Sequence, residues 1–195
     1  MTTTMPSREQ WELALVQLAN LFGSVGTGLR FSGQVGQTVG VTQLPVLRHL
    51  STALGNAEAL TQDVCTALLT LSNALCWRQN LNYTDRRFLD GYAYCELLGP
   101  SGHLHHDTIS AGLLLLQPEL VYPEHAHPAT ETYVVLSGSA QWRQGKAPWR
   151  TRVAGELITH ATMEVHAMHS GTDPLLAAYL WQGDLARAAQ LVEPT

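Results

Sequence analysis

The chain has 195 residues, 45% of them hydrophobic and 14% charged, which excludes disorder over its length and fits one domain with a small extension. The formal net charge is −5, from 11 Lys and Arg against 16 Asp and Glu, and no basic run occurs. That argues against a nucleic-acid partner or an anionic membrane surface. In chain order, the first 85 residues read as helices. From Ser7 to Phe22, apolar residues recur at three- and four-residue steps, with Ser7 as N-cap, Gln10 three residues on and Gly23 as a stop. A glycine-rich stretch from Gly23 to Gly40 predicts a loop. Pro45 sits in the first turn of a second helix ending near Gly55, and Asn56 or Thr61 opens a third that runs to about Gln79. These helices carry no clustered polar chemistry, so they are expected to pack, and a homodimer is one way for them to do so.

Beyond residue 85 the sequence becomes β-like. Short runs at Tyr92–Glu96, Leu113–Leu116, Thr132–Leu136, Ala140–Arg143 and Leu175–Trp181 are separated by Gly, Pro, Asp and Ser. The expected architecture is mostly β, with a helical N-terminal layer over residues 1–85 and a β-barrel over 86–195. Nothing in the sequence is long and apolar enough to span a bilayer, and the start, MTTTMPSREQW, is not a signal peptide. Cys65, Cys76 and Cys95 form an odd set with no CxxC, which suggests buried thiols in a reducing cytoplasm.

The composition is biased towards histidine: there are nine, and all but His49 lie at or beyond His103. Within Tyr122–Gly138, His125 and His127 stand two apart, Glu131 follows, and Tyr133 shares its strand face. Two imidazoles and a carboxylate suit one divalent transition metal, such as Zn, Fe(II) or Mn. Of the three histidines after Gly155, His166 lies where a returning strand begins and is the expected fourth ligand. His160 is expected near the site, either behind the ligands or as a substrate contact, and His169 on the opposite face. His103, His105 and His106 complete no ligand set and read as a polar loop.

The pattern HxH-x3-E-x6-G, met at His125, His127, Glu131 and Gly138, resembles the first cupin motif. Gly155 to His166 resembles the second, without its Pro-x-Gly turn. Residues 88 to about 183 are similar to the cupin-type dimethylsulfoniopropionate (DMSP) lyases. FLDGYAYCELLGPSGHLHH, Tyr122, Tyr133 and YLWQGD carry that likeness. The resemblance implies a double-stranded β-helix barrel of jelly-roll type, a metal-dependent β-elimination on a small molecule, and two tyrosines bordering the pocket, one of them the base. Strand parity favours Tyr133, beside a metal able to lower its pKa; Pro123 removes that guarantee for Tyr122. Tyr94 and Trp181 are the aromatic walls expected around a sulfonium. The same residues leave open a metal-dependent oxygenase or isomerase, or a cupin that only binds a small ligand.

Overall fold

The computed structural model describes residues 5–30, 35–36 and 43–192. The first helix, α1 (Arg8–Phe22), starts as expected: Ser7 and Gln10 exchange a reciprocal capping box, and Gly23 follows the last turn. Gly23–Gly28 is a 3-10 helix rather than a loop; much of the remaining glycine-rich stretch lies outside the described residues. Pro45 opens another 3-10 turn (Pro45–His49) that leads into α2 (Leu50–Gly55). Helix α3 (Gln62–Leu71) follows Thr61, whose buried hydroxyl donates to Leu136 O at 2.6 Å instead of capping the helix.

Helix α3 stops eight residues short of the expected Gln79. Tertiary pairing overrides the local apolar spacing there, because Trp77–Arg78 (β1) joins the edge of a sheet as the antiparallel partner of β2 (Tyr92–Gly99). A short helix, α4 (Arg86–Asp90), capped by the Asp85 side chain, intervenes.

The remaining strands are β3 (Leu104–His105), β4 (Ile109–Leu116), β5 (Val121–Ala126), β6 (Thr130–Ser137), β7 (Ser139–Gln144), β8 (Arg150–Val153), β9 (Leu157–His160), β10 (His166–Ser170), β11 (Leu175–Gln182) and β12 (Gln190–Leu191). They form two sheets. The larger runs β1-β2-β4-β11-β6-β9, with β3 alongside β2; the smaller runs β12-β5-β10-β7-β8. Two stacked sheets joined by short links make the expected jelly-roll, rather than one continuously closed barrel. The motif glycine, Gly138, turns β6 into β7 at φ 72°; a Cβ there would meet Pro174 O at 2.4 Å.

The larger sheet is covered on both sides. Ala93, Cys95, Leu113, Leu115, Val134, Leu136, Ala178 and Leu180 face the N-terminal helices. Their strand neighbours Tyr92, Leu114, Tyr133, Val135, Ala177 and Tyr179 face the second sheet, against Tyr122, Trp142 and Met168. This explains why β4 reads ISAGLLLL with all eight residues buried: neither face meets water. The three cysteines are buried. Among the described residues no helix is long and apolar enough to cross a membrane.

His103 departs from the polar-loop expectation. It is 2% exposed, stacks on Trp11 at 4.4 Å, and accepts a hydrogen bond from Cys76 N at 3.0 Å. His103 thus ties α1 to the sheet. His105 and His106 stay local, the first against Asp107, the second accepting from Thr108 N and Ile109 N.

Two outcomes follow from this packing. A chain beginning at Arg86, the boundary proposed between a helical layer and a β-domain, uncovers the helix-facing side of the large sheet. It is expected to aggregate, as light scattering would show; a monomer with parental stability would contradict that. Burial lowers the His103 pKa from 6.5 to about 4. The unfolded chain therefore takes up a proton there that the folded chain refuses, so His103 lowers stability as pH falls from about 6.5 to about 4 and is neutral above that window. Urea titrations should show His103→Asn losing less stability than the parent across that interval, even if it starts lower at pH 7.5.

Candidate metal centre and active site

The centre lies between the two sheets. β6 delivers Glu131, β10 begins with His166, and the link after β5 delivers His127. Their ligand atoms all lie within 4.8 Å of one another, and all three residues are buried. Glu131 Oε2 stands 3.0 Å from His127 Nε2 and 3.3 Å from His166 Nε2. Its other oxygen, Oε1, accepts from Trp181 Nε1 at 2.5 Å, and the Trp181 ring stacks on His127 at 4.2 Å.

The outer nitrogens determine the state of the inner ones. His125 Nδ1 lies 2.9 Å from Pro123 O, His127 Nδ1 3.0 Å from Ala129 O, and His166 Nδ1 2.9 Å from Glu164 O. A carbonyl only accepts, so each Nδ1 carries the proton and each neutral ring turns an Nε2 lone pair inward. Those of His127 and His166 then face a carboxylate, acceptor against acceptor. His166 Nε2 is buried without a hydrogen-bonded partner despite its closeness to Glu131. A cation between these atoms resolves both problems, and two imidazoles with a carboxylate are the donors a divalent transition ion takes. The residues fit such an ion.

His125 stands beside this group rather than in it. Its ligand atoms do not fall within 4.8 Å of all three others; its ring meets His166 edge-on at 4.0 Å and stacks on Tyr122 at 4.1 Å. The stacking has a backbone cause. The β5–β10 pairing slips between His125↔His166 and Tyr122↔Met168, so two residues of β5, Pro123 and Glu124, oppose one of β10, Ala167. That bulge at Pro123–Glu124 brings Tyr122 and His125 to one face. The expected loss of parity at Pro123 is real, and its effect is to turn Tyr122 inward.

Both tyrosines line a cavity of about 240 Å³ with Glu131 at its inner end and Tyr92, Tyr94, Tyr179 and Trp181 along its walls. Tyr122 shares a 2.9 Å hydrogen bond with Tyr83. Tyr133 hydrogen-bonds Glu131, and its pKa is pushed well up by burial first and by that carboxylate second.

His160 does not line the cavity, so of its two expected places it takes the one behind the ligands and not that of a substrate contact. It is fully buried behind His166, stacked on it at 3.9 Å, and accepts from Trp142 Nε1 at 3.0 Å. The register Glu131↔His160 places it on a neighbouring strand, with the His166 ring in front of it. His169 is exposed, as its parity predicts. Tyr83 and Tyr179 were not singled out from the sequence. The alternation Leu175, Ala177, Tyr179, Trp181 carried the signal for Tyr179, whereas Tyr83 lies in an irregular segment with no period to read.

The profile of the DMSP lyase family matches residues 33–177. DMSP lyase DddQ of Ruegeria pomeroyi is 35% identical over 122 residues, 60% of this chain and 60% of that protein. DddL of Cereibacter sphaeroides is 31% identical over 149 residues, 75% of this chain and 62% of its own. The chain thus spans about three-fifths of the length of these curated relatives. A chain from the crystal structures of the DMSP lyases RdDddP and RnDddQII superposes with a TM-score of 0.80 at 27% identity, covering 95% of this chain and 99% of that one. The crystal structure of R. pomeroyi DddQ gives 0.82 at 23% identity, covering 96% and 98%, and shows the shared fold. With motif, fold and three-quarters of the sequence in agreement, the chain belongs to the dimethylsulfoniopropionate lyase family.

Proposed function

We propose that the protein is a metal-dependent carbon–sulfur lyase that cleaves DMSP by β-elimination to dimethyl sulfide and acrylate. The carrying observation is the buried His127–Glu131–His166 cluster, with inward lone pairs, at the inner end of an aromatic cavity that also holds two tyrosines. In this reading His127, Glu131 and His166 hold the ion, and His125 beside them is the fourth donor of the motif.

A divalent cation held by His127, Glu131, His166 and His125 would supply Lewis-acid chemistry, offsetting the Glu131 charge, polarising a substrate carboxylate and lowering the pKa of the adjacent phenol. Tyr133, hydrogen-bonded to Glu131, then takes the proton from the carbon next to the carboxylate. The electron pair left behind forms the carbon–carbon double bond. The bond from the β-carbon to sulfur breaks with its pair on sulfur, so dimethyl sulfide leaves neutral and acrylate keeps the negative charge. Tyr122, held by Tyr83 and stacked on His125, walls the pocket, and Tyr94 and Trp181 surround the sulfonium. The chemistry consumes no oxygen.

Purified protein loaded with metal should release dimethyl sulfide and acrylate in equal amounts from DMSP, in air and without it. A requirement for oxygen, or binding without turnover, would contradict the lyase reading. Tyr133→Phe should lower turnover by ~10²–10⁴-fold while retaining metal, the range for loss of a positioned base, and Tyr122→Phe should cost less and mainly in KM. The reverse order would exchange their roles.

Elemental analysis provides an independent check. His127→Ala and His166→Ala should lose stoichiometric metal, since each removes an inward donor. His125→Ala removes the fourth donor and should also lower metal affinity, with His127, Glu131 and His166 left to hold the ion more weakly. Full occupancy in His127→Ala would remove that residue from the centre.

A further inference from the structure

The end of the cavity remote from Glu131 carries a second carboxylate. Glu96 lies on β2, and the pairings Glu96↔Gly112, Gly112↔Tyr179 and Tyr179↔Tyr133 set it in one row with Tyr179 and Tyr133 across the sheet. With strands about 4.8 Å apart, three spacings put the Glu96 backbone roughly 14 Å from that of Tyr133. Glu96, Tyr94, Tyr179 and Trp181 all line the cavity between these ends.

The carboxylate is held in place. Ser110 Oγ donates to Glu96 Oε1 at 2.9 Å, and the Ser101 backbone also hydrogen-bonds it. A Cβ at Gly99 would stand 2.0 Å from Oε1, so the carboxylate occupies room that only a glycine leaves. Among the described residues, no ion pair within 4.0 Å joins Glu96 to a cation. Arg78, opposite Tyr94 on the edge strand, is the other charged group at this end; its Nη2 donates to Ser101 O at 2.8 Å. A half-buried anion among aromatic faces is a receptor for a cation without hydrogen-bond donors, which gains from both the charge and the ring quadrupoles.

We propose that Glu96 is the charge-selecting residue of this site: it makes the outer end of the cavity a subsite for the cationic group of a zwitterionic substrate, against neutral-tailed carboxylates of the same shape. This rests on the cavity being the substrate site, and it assigns the sulfonium end of the molecule to β2 and β11. Arg78 opposes Glu96 in sign, so its removal should strengthen the preference.

The test compares two ligands of one skeleton on the metal-loaded full chain at neutral pH. 3-(Trimethylammonio)propanoate carries a cationic tail with no hydrogen-bond donor, and 4,4-dimethylpentanoate carries the neutral equivalent. Calorimetry should give the parent a preference of about tenfold for the cationic ligand, the scale expected for one partly buried charge with aromatic contacts. Glu96→Gln should reduce that preference to about twofold or less. No preference in the parent, or the same preference in a folded Glu96→Gln, overturns the proposal. If Glu96→Gln does not melt cooperatively, Arg78→Gln decides: a larger preference supports the proposal, and an unchanged or smaller one overturns it. Release of dimethyl sulfide without charge preference would sink the role of Glu96 alone. Charge preference without dimethyl sulfide would sink the lyase reading and leave Glu96 standing.

Discussion

A carboxylate closed between two imidazole lone pairs is the constraint on which this structure turns. Glu131 comes from the larger sheet and His166 from the smaller, and His127 from the link between them, so the cluster is also where the two sheets meet. Each histidine anchors its Nδ1 on a backbone carbonyl two residues away, which orients its ring before any ligand arrives. The inward face is therefore a preorganised set of acceptors with no proton to share. A buried arrangement of that kind is costly until a cation enters, and the same property makes it a strong site for one.

The surroundings serve this centre by excluding water and supplying rings. Trp181 stacks on His127 and donates to Glu131, so one side chain supports two donors. His160 backs His166 from behind, held in turn by Trp142. The N-terminal helices act at longer range. They cover the far face of the strands that carry Glu131, Tyr133, Tyr179 and Trp181, which allows those strands to be apolar on one side and chemical on the other.

Strand parity made much of this legible from the sequence. Glu131 and Tyr133 two apart, and Tyr179 and Trp181 two apart, each share the inner face. The capping box at Ser7 and Gln10 was equally plain, because its donors and acceptors are local. What the sequence concealed depends on distant partners. Trp77–Arg78 reads as the tail of a helix until β2 offers it an edge. His103 reads as one of three loop histidines until Trp11 covers it. Tyr122 faces inward through a bulge whose register only β10 reveals, and His160 is set behind His166 by its pairing with Glu131. The stacking of His125 on Tyr122 is likewise a matter of side-chain packing that spacing alone does not express.

The central claim is that one divalent ion sits between Glu131, His127 and His166. Anomalous diffraction at the metal edge, on crystals of protein loaded and then freed of loosely bound ions, tests it most directly. The account predicts a single strong peak per chain, within about 2.0–2.2 Å of the two Nε2 atoms and a Glu131 oxygen. A peak elsewhere, or crystals of fully active protein with no peak at this position, would contradict it.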